Sequence, residues 1–248
     1  MKEAQLKVEL LTLTEHAVDV VYAACRQCYS SEFAGDMFEN AAGSGPSLEE
    51  KESFIRRIVE SGHESPLEHV SMTFAVRGIS RSCSLQLVRH RIASYSQQSQ
   101  RYVSMRDFSY VIPPTISEDE ELKRIFVEEM EDIQEKYNRI VEALEARGIE
   151  GESARQDARF VLPEGSETKI VITMNARELL HFFSLRCCTR AQWEIRRMAN
   201  RMLEIAKSTL PSIFGKEAGA KCERLKYCPE GKNFTCKRYP LKEEVFKE

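Results

Sequence analysis

Lys7 to Thr14 alternates with the period of a strand, Val8, Leu10 and Thr12 falling between Glu9, Leu11 and Leu13. Residues 15–29 shift to a helical period, with Val18, Val21, Ala24, Cys25 and Cys28 along one side. Residues 32–46 carry Gly and Ala without a period and read as a loop. Ser47-Leu48-Glu49-Glu50 is a capping box, which predicts a helix running to about Ser61 and stopped by Gly62. Ser65-Pro66-Leu67-Glu68 puts Pro at a first helical position and predicts one short turn. Val70, Met72, Phe74 and Val76 alternate as a second strand, and Ser80 to Val88 reads as a short helix.

Further on, Tyr102 to Ile112 reads as a strand closed by Pro113-Pro114. Ser117 to Arg147 predicts a long amphipathic helix, with Leu122, Ile125, Phe126, Ile133, Tyr137, Ile140, Val141 and Leu144 in one stripe and Gly148 at its end. A shorter helix is expected over 151–160, a strand through Ile170, Ile172 and Met174, and helices over 176–188 and 189–209. Helices outnumber strands and do not alternate with them strictly. That predicts an α+β fold, with a small, mostly antiparallel sheet and several long helices. The expected organisation is a single domain, residues 1–214, followed by a basic, Cys-containing tail, residues 215–248.

Composition narrows the class. The 248 residues are 42% hydrophobic and 30% charged, an ordinary globular balance. A net charge of −3 gives no overall attraction to nucleic acid or to an anionic membrane. No apolar run approaches the ~20 residues that cross a bilayer, and Met1 to Leu6 lacks the apolar core of a signal peptide. A cytoplasmic protein with neither a nucleic-acid nor a membrane partner is expected. Eight cysteines in a reducing compartment read as free thiols or metal ligands. Cys25-Arg26-Gln27-Cys28 has redox spacing but falls inside a helix, which favours packed thiols. Cys187-Cys188 reads as structural. Cys222, Cys228 and Cys236 in the tail are one ligand short of a closed zinc site.

One polar stretch carries most of the candidate chemistry. Arg89-His90-Arg91-Ile92-Ala93-Ser94-Tyr95-Ser96-Gln97-Gln98-Ser99-Gln100-Arg101-Tyr102 gathers three arginines, a histidine, three serines and three glutamines. Arginine forks match phosphate oxygens, and hydroxyl and amide groups complete such a cradle. A basic cluster in a near-neutral chain suits a small anionic ligand, in particular a nucleotide. On the preceding helix Gln86, Arg89 and His90 would share a face, at i, i+3 and i+4.

Arg89-His90-Arg91, seven residues, Ser99, one residue, Arg101 resembles the signature of the flavin-dependent thymidylate synthases. His63-Glu64-Ser65-Pro66-Leu67-Glu68-His69, Arg159-Phe160-Val161-Leu162-Pro163, Asn175-Ala176-Arg177, Leu185-Arg186 and Arg190-Ala191-Gln192-Trp193-Glu194 resemble further blocks of that family, in the same order. The likeness covers residues 6 to 210. It implies methylation of dUMP to dTMP, with 5,10-methylenetetrahydrofolate as carbon donor, reduced FAD as hydride donor and NADPH as reductant. It also implies a homotetramer with active sites at subunit interfaces.

The resemblance assigns the nucleotide to Gln86, Arg89, Gln97, Gln98, Ser99, Gln100, Arg101 and Arg186, with Arg159 from a neighbouring subunit. It assigns the flavin to Ser65, Arg89, His90, Arg91, Gln97, Asn175, Ala176, Arg177 and His181. His63 falls near the flavin and folate rings; without the resemblance it reads as a helix-end histidine capping carbonyls. Arg186 takes the catalytic role, beside the uracil, where a fixed guanidinium stabilises developing negative charge. From the residues alone Arg186 would read as a buried arginine paired with Glu194 or Glu178.

Three features set limits. Ser96-Gln97 stands where members often carry Asn-Glu, and Arg190 and His181 stand where others have histidine and asparagine. No acid lies near His90 in sequence, so Ser99 reads as a binding hydroxyl without a relay. His63 and His69 lack the i, i+4 spacing of a zinc pair, no metal is assigned, and neither GxGxxG nor a P-loop occurs. Two other readings stay open: a nucleic-acid-binding module built on the Arg/Tyr/Gln stretch and the tail, and a nucleotide or flavin sensor without turnover.

Overall fold

The computed structural model describes residues 1–43, 45–215 and 218–246. Strands β1 (Lys7–Leu13), β2 (Ser71–Ser80), β3 (Ala93–Gln97) and β4 (Glu167–Asn175) form one antiparallel sheet in the order β1-β2-β4-β3. The α+β expectation is what the fold has. In chain order the helices are α1 (Ala17–Gln27), α2 (Ala34–Ala42), α3 (Leu48–Glu60), α4 (Arg81–Leu87), α5 (Pro114–Ser117), α6 (Glu120–Glu145), α7 (Gly151–Ala158), α8 (Ala176–Arg186), α9 (Trp193–Thr209), α10 (Lys221–Leu225) and α11 (Lys242–Val245). Short 3-10 turns lie at Ser65–His69 and Arg159–Val161. Contact density groups the chain into two compact units. The first holds Met1–Glu9, Ala75–Arg89 and Tyr95–Val171; the second holds Leu10–Phe74, His90–Ser94 and the chain from Ile172 onward.

The first unit is built around α6. Its core gathers Met105, Phe108, Tyr110, Ile112, Met130, Tyr137, Val141, Ala154 and Ala158. Residues 102–112 are not the expected strand. Their backbone is satisfied piecemeal instead: the buried Gln134 accepts from the Phe108 amide at 2.9 Å and donates to the Met105 carbonyl at 2.9 Å. Tyr110 exchanges backbone bonds with Lys2 and Ala4, and the Val111 amide donates to Gly165 at 2.9 Å. Apolar residues there are buried because the segment folds over α6, not because it alternates across a sheet. The strand lies upstream in β3, where polar side chains conceal the period. At the other end of the α6 stripe, Leu122 and Ile125 remain exposed. Gly78 in β2 has φ 73°, and a Cβ there would sit 2.1 Å from the Gln5 carbonyl oxygen. Only glycine fits so close an approach.

The second unit packs α1 against α2 and α3, and α8 against α9. Ile55, Leu67, Met72, Phe74, Ile172, Met174, Phe182, Phe183 and Phe214 are fully buried or nearly so. Ser47 caps α3 with the reciprocal bond from Glu50, and Gly62 ends it at φ 80°, as the capping pattern predicts. Residues 32–46 are not simply a loop, since α2 occupies 34–42 with Met37 and Ala41 buried at i and i+4. Gly35, Asp36 and Asn40 weaken the propensity there, and packing against α1 supplies what propensity lacks. Among the described residues, no helix is long and apolar enough to cross a membrane.

Candidate functional site

In the second unit, α8 organises the site. The Asn175 side chain caps the helix by accepting from the Glu178 amide at 2.8 Å. Glu178, Phe182 and Arg186 follow at i, i+4 and i+8, so they form one stripe. His90, 6% exposed, lies along that stripe and meets all three. Its Nδ1 is 3.3 Å from Glu178 Oε1, its ring packs edge-on against Phe182 at 4.9 Å, and its Nε2 accepts from Arg186 Nε at 3.0 Å. Burial, then the Arg186 guanidinium, then His181 hold the His90 imidazole down to about 4, so it is neutral near pH 7. Burial raises the Glu178 carboxyl, opposed by His181. A guanidinium only donates, so Nε2 must be the bare nitrogen and Nδ1 carries the proton toward Glu178.

No acid lies near His90 in sequence, but the fold brings one beside it: Glu178, 88 residues away. One expectation is corrected. Gln86, Arg89 and His90 do not share a helix face, because α4 ends at Leu87, leaving Arg89 exposed and His90 buried. Arg186 pairs neither with Glu194 nor with Glu178 directly. Its terminal nitrogens have no partner among the described residues.

Arg177, on the outer side of α8, is ion-paired with Glu68, and Glu64 stands 3.9 Å from its Nε. Glu64 also binds Arg224 of the tail at 2.8 Å. Arg177, Asn175, His181, Glu178, Ser184, Lys221 and Arg224 are among the residues around a cavity of about 1200 Å³. Its wall includes Ser212, 2% exposed, whose Oγ is buried without a hydrogen-bond partner. A smaller cavity of about 350 Å³ brings together His63, Ser65, Cys25 and Arg177. His181 is exposed, 6.2 Å from the His90 ring. Ala176 is buried, and its amide donates to the Val70 carbonyl at 2.7 Å. Arg91 is exposed with no side-chain partner among the described residues.

The first unit gathers the rest. The Gln97 amide donates to Ser84 Oγ at 2.9 Å and to Thr168 Oγ1 at 3.0 Å. Tyr95 OH donates to the Leu87 carbonyl at 2.9 Å, and the Gln98 amide nitrogen of the backbone donates to Lys169 at 2.8 Å. These bonds tie β3 to its surroundings. Beyond it, Ser99 Oγ accepts from the Arg101 amide at 3.1 Å, and Arg155 Nε donates to the Arg101 carbonyl at 2.8 Å. The Arg101 guanidinium pairs with Glu152 and lies 5.6 Å from the Tyr102 ring centre, while its Nε is buried without a partner. Gln86, Arg89, Gln100 and Arg159 have no side-chain partner among the described residues.

Sequence reasoning offered Glu178 only as a partner of Arg186 and gave no role to Glu64, Glu68, Glu152, Ser212 or Arg224. An acid at the third position of α8 and the 178–182–186 spacing were the available signals for Glu178. The ion pairs of Glu64, Glu68, Glu152 and Arg224 join residues far apart in sequence. The tail is not detached: Glu230 pairs with Arg190, whose guanidinium lies 4.3 Å from the Phe234 ring centre. All eight cysteines are free thiols; burial pushes Cys25 up to about 11 and Cys187 up to about 12, which suits packing and not redox chemistry.

A Glu–His–Arg stripe, buried at Glu178 and His90 and half-buried at Arg186, beside a large cavity whose walls carry arginine, lysine and glutamate side chains defines an α+β protein with room for a ligand of considerable size. The family model described as thymidylate synthase complementing protein matches residues 9–212, and the chain belongs to that family. A flavin-dependent thymidylate synthase of Nitratidesulfovibrio vulgaris is 51% identical over 245 residues, covering 99% of this chain and all of the relative. Another, from Geobacter sulfurreducens, is 44% identical over 98% of this chain and 99% of its own length. Among solved structures, a UMP/dUMP methylase from Streptomyces cacaoi bound with 5-Br dUMP superposes with a TM-score of 0.70 at 26% identity, covering 86% of this chain and 94% of that one.

Proposed function

We propose that the protein is a flavin-dependent thymidylate synthase that methylates dUMP to dTMP with 5,10-methylenetetrahydrofolate as carbon donor. Reduced FAD supplies the hydride, and NADPH restores the reduced flavin. The folate methylene and that hydride together become the methyl group, and the C5 proton of the uracil departs. The observation that carries this reading is Arg186, anchored through Nε on a neutral His90, with its terminal nitrogens unpartnered among the described residues. A guanidinium held in place beforehand stabilises negative charge on the uracil ring as C5 attacks the methylene, with no reorganisation at that moment.

The large cavity exceeds the roughly 300–1,000 Å³ of most small-ligand sites, which suits a dinucleotide. Its buried Ser212 hydroxyl, which has no partner among the described residues, and its cations Arg177, Lys221 and Arg224, drawn from Glu68, Glu230 and Glu64, would supply the donors that a pyrophosphate needs. FAD would be held by Ser65, Arg91, the Asn175-Ala176-Arg177 turn and His181. The nucleotide would be held by Gln86, Arg89, Gln98, Ser99, Gln100 and Arg101, with Arg159 from a neighbouring subunit and His63 beside the reacting rings. The Gln97 amide nitrogen and the His90 ring nitrogens are engaged within the fold, so they hold β3 and Arg186, and Gln97 would meet the ligand through Oε1. A homotetramer fits the exposed Phe160 (85%), Ile92 (66%) and Tyr102 (65%) next to these residues in sequence. Residues 1–214 form the catalytic body, and residues 215–248 add Lys221 and Arg224 to the cavity wall.

The test is flavin absorbance of the purified protein under anaerobic NADPH with dUMP present, followed by 5,10-methylenetetrahydrofolate. Bleaching, recovery of colour and formation of dTMP are expected. A protein that takes up no FAD overturns the reading.

A further inference from the structure

We propose that Glu178 is a positioning residue for Arg186, acting through His90. The inference rests on the catalytic reading of Arg186 and adds the device that orients it.

The geometry is a short chain of directed bonds. Arg186 Nε–H points at His90 Nε2 at 3.0 Å. That bond exists only when Nε2 is unprotonated. The neutral ring must then keep its proton on Nδ1, which is 3.3 Å from Glu178 Oε1. Burial raises the Glu178 carboxyl, and once it is ionised it can only accept, so it then selects this tautomer and excludes the other. In the other tautomer two N–H groups would face each other and the Arg186 bond would be lost. Phe182 sets the ring plane from the side, at an interplanar angle of 83°. All three contacts come from one stripe of α8. A single buried ring therefore registers the acid at the start of the helix with the arginine at its end. The outcome is a guanidinium with one fixed edge and a free pair of terminal nitrogens. His90 and Glu178 are 6% and 7% exposed, so bulk water cannot substitute for either partner.

Glu178→Gln is the decisive variant, because it keeps shape and burial while offering His90 either a donor or an acceptor. Glu178→Asp shortens the arm but keeps the carboxylate. We expect Glu178→Gln to lower kcat on the order of 10- to 100-fold, the loss typical of a misplaced catalytic group. The Kd for dUMP should change less than about 2-fold, since the phosphate contacts lie elsewhere. Glu178→Asp should recover part of kcat. Nitrogen-15 NMR of labelled histidine in the FAD-loaded protein reads the tautomer without turnover. It should show Nδ1–H for wild type and a mixture for Glu178→Gln. In an Arg186→Lys background the Glu178→Gln change should add little, because the group being positioned is gone.

Wild-type kcat in a folded Glu178→Gln protein, or an Nε2–H tautomer in the wild type, overturns the proposal. If Arg186→Lys itself keeps full turnover, the catalytic reading of Arg186 fails instead, whatever the tautomer. Equal losses from Glu178→Gln in both backgrounds mean a structural role and also overturn it.

Discussion

The polar groups on α8 and those at the end of β3 solve opposite problems. Glu178 and His90 are buried, Arg186 is half-buried, and the three are joined through Glu178 Oε1, both His90 ring nitrogens and Arg186 Nε, while the Arg186 terminal nitrogens have no partner among the described residues. Around β3 Gln97, Gln98, Ser99 and Gln100 are half-buried and Gln97 ties the strand down, while Arg89 and Arg159 carry no partner among the described residues. Low local dielectric makes the first cluster rigid and costly to disturb. Water keeps the second adjustable and its charges screened. The first suits a step that needs charge held ready; the second suits capture of a phosphate from solution.

The comparison breaks most directly at Arg186. Arg186→Ala should lower kcat on the order of 10²–10³-fold, the loss found when one preorganised electrostatic donor is removed. Binding of dUMP should be affected far less, and the melting temperature should hold. Isothermal titration beside steady-state kinetics separates the two. A loss confined to KM would move Arg186 into the capture group.

The next largest effect concerns stability and pH. His90 titrates near 6.5 when unfolded and about 4 when folded. The unfolded chain therefore binds the extra proton between those values. Stability supplied by the neutral imidazole is complete above pH 6.5 and is lost as pH falls to about 4, on the order of 2–3 kcal/mol. The facing groups are Glu178, His181 and Arg186, all on α8. Glu178, raised by burial, works the other way, its contribution present at low pH and lost as pH rises through its folded value. His90→Gln should flatten the decline between pH 6.5 and 4, measured by urea unfolding across that range. An unchanged slope would mean that other groups set acid stability.

These two clusters also differ in how far the sequence discloses them. Arg186, Asn175 and Arg177 sit in a helix whose cap and apolar period are plain, and the capping box of α3 likewise reads directly from Ser47 and Glu50. The strand period of β3 is hidden because its half-buried positions are Ala93, Tyr95 and Gln97, and Gln97 is retained by hydrogen bonds and not by hydrophobicity. Residues 102–112 mislead for the converse reason: Met105, Phe108, Tyr110, Val111 and Ile112 are apolar and buried, yet Gln134 bonds to the backbone at Met105 and Phe108. The Glu178–His90 contact spans 88 residues, and no local pattern encodes a pairing made by the fold.

On the capture side, Arg89→Ala should weaken dUMP binding on the order of 10-fold, as expected for one charge-assisted hydrogen bond. It should leave kcat at saturation within about 2-fold, since uniform binding affects KM alone. The salt dependence of dUMP binding should become shallower in the same variant. A loss in kcat without a change in Kd would show that Arg89 belongs with the α8 cluster in function.

The smallest effect tests whether the second cluster is as adjustable as its exposure suggests. Arg101 is ion-paired with Glu152, and both side chains are about two-fifths exposed. A phosphate can claim that guanidinium only by displacing the carboxylate. Surface pairs of this kind are worth roughly 0.2–1 kcal/mol, so displacement is cheap but not free. Removing the competitor in Glu152→Gln should therefore tighten dUMP binding by about 1.5- to 5-fold. Titration at low and moderate salt reads the change, and the gain should shrink as salt screens the pair. Weaker binding would mean the reverse: Glu152 holds Arg101 in place as Glu178 holds His90, and the β3 end is preorganised too.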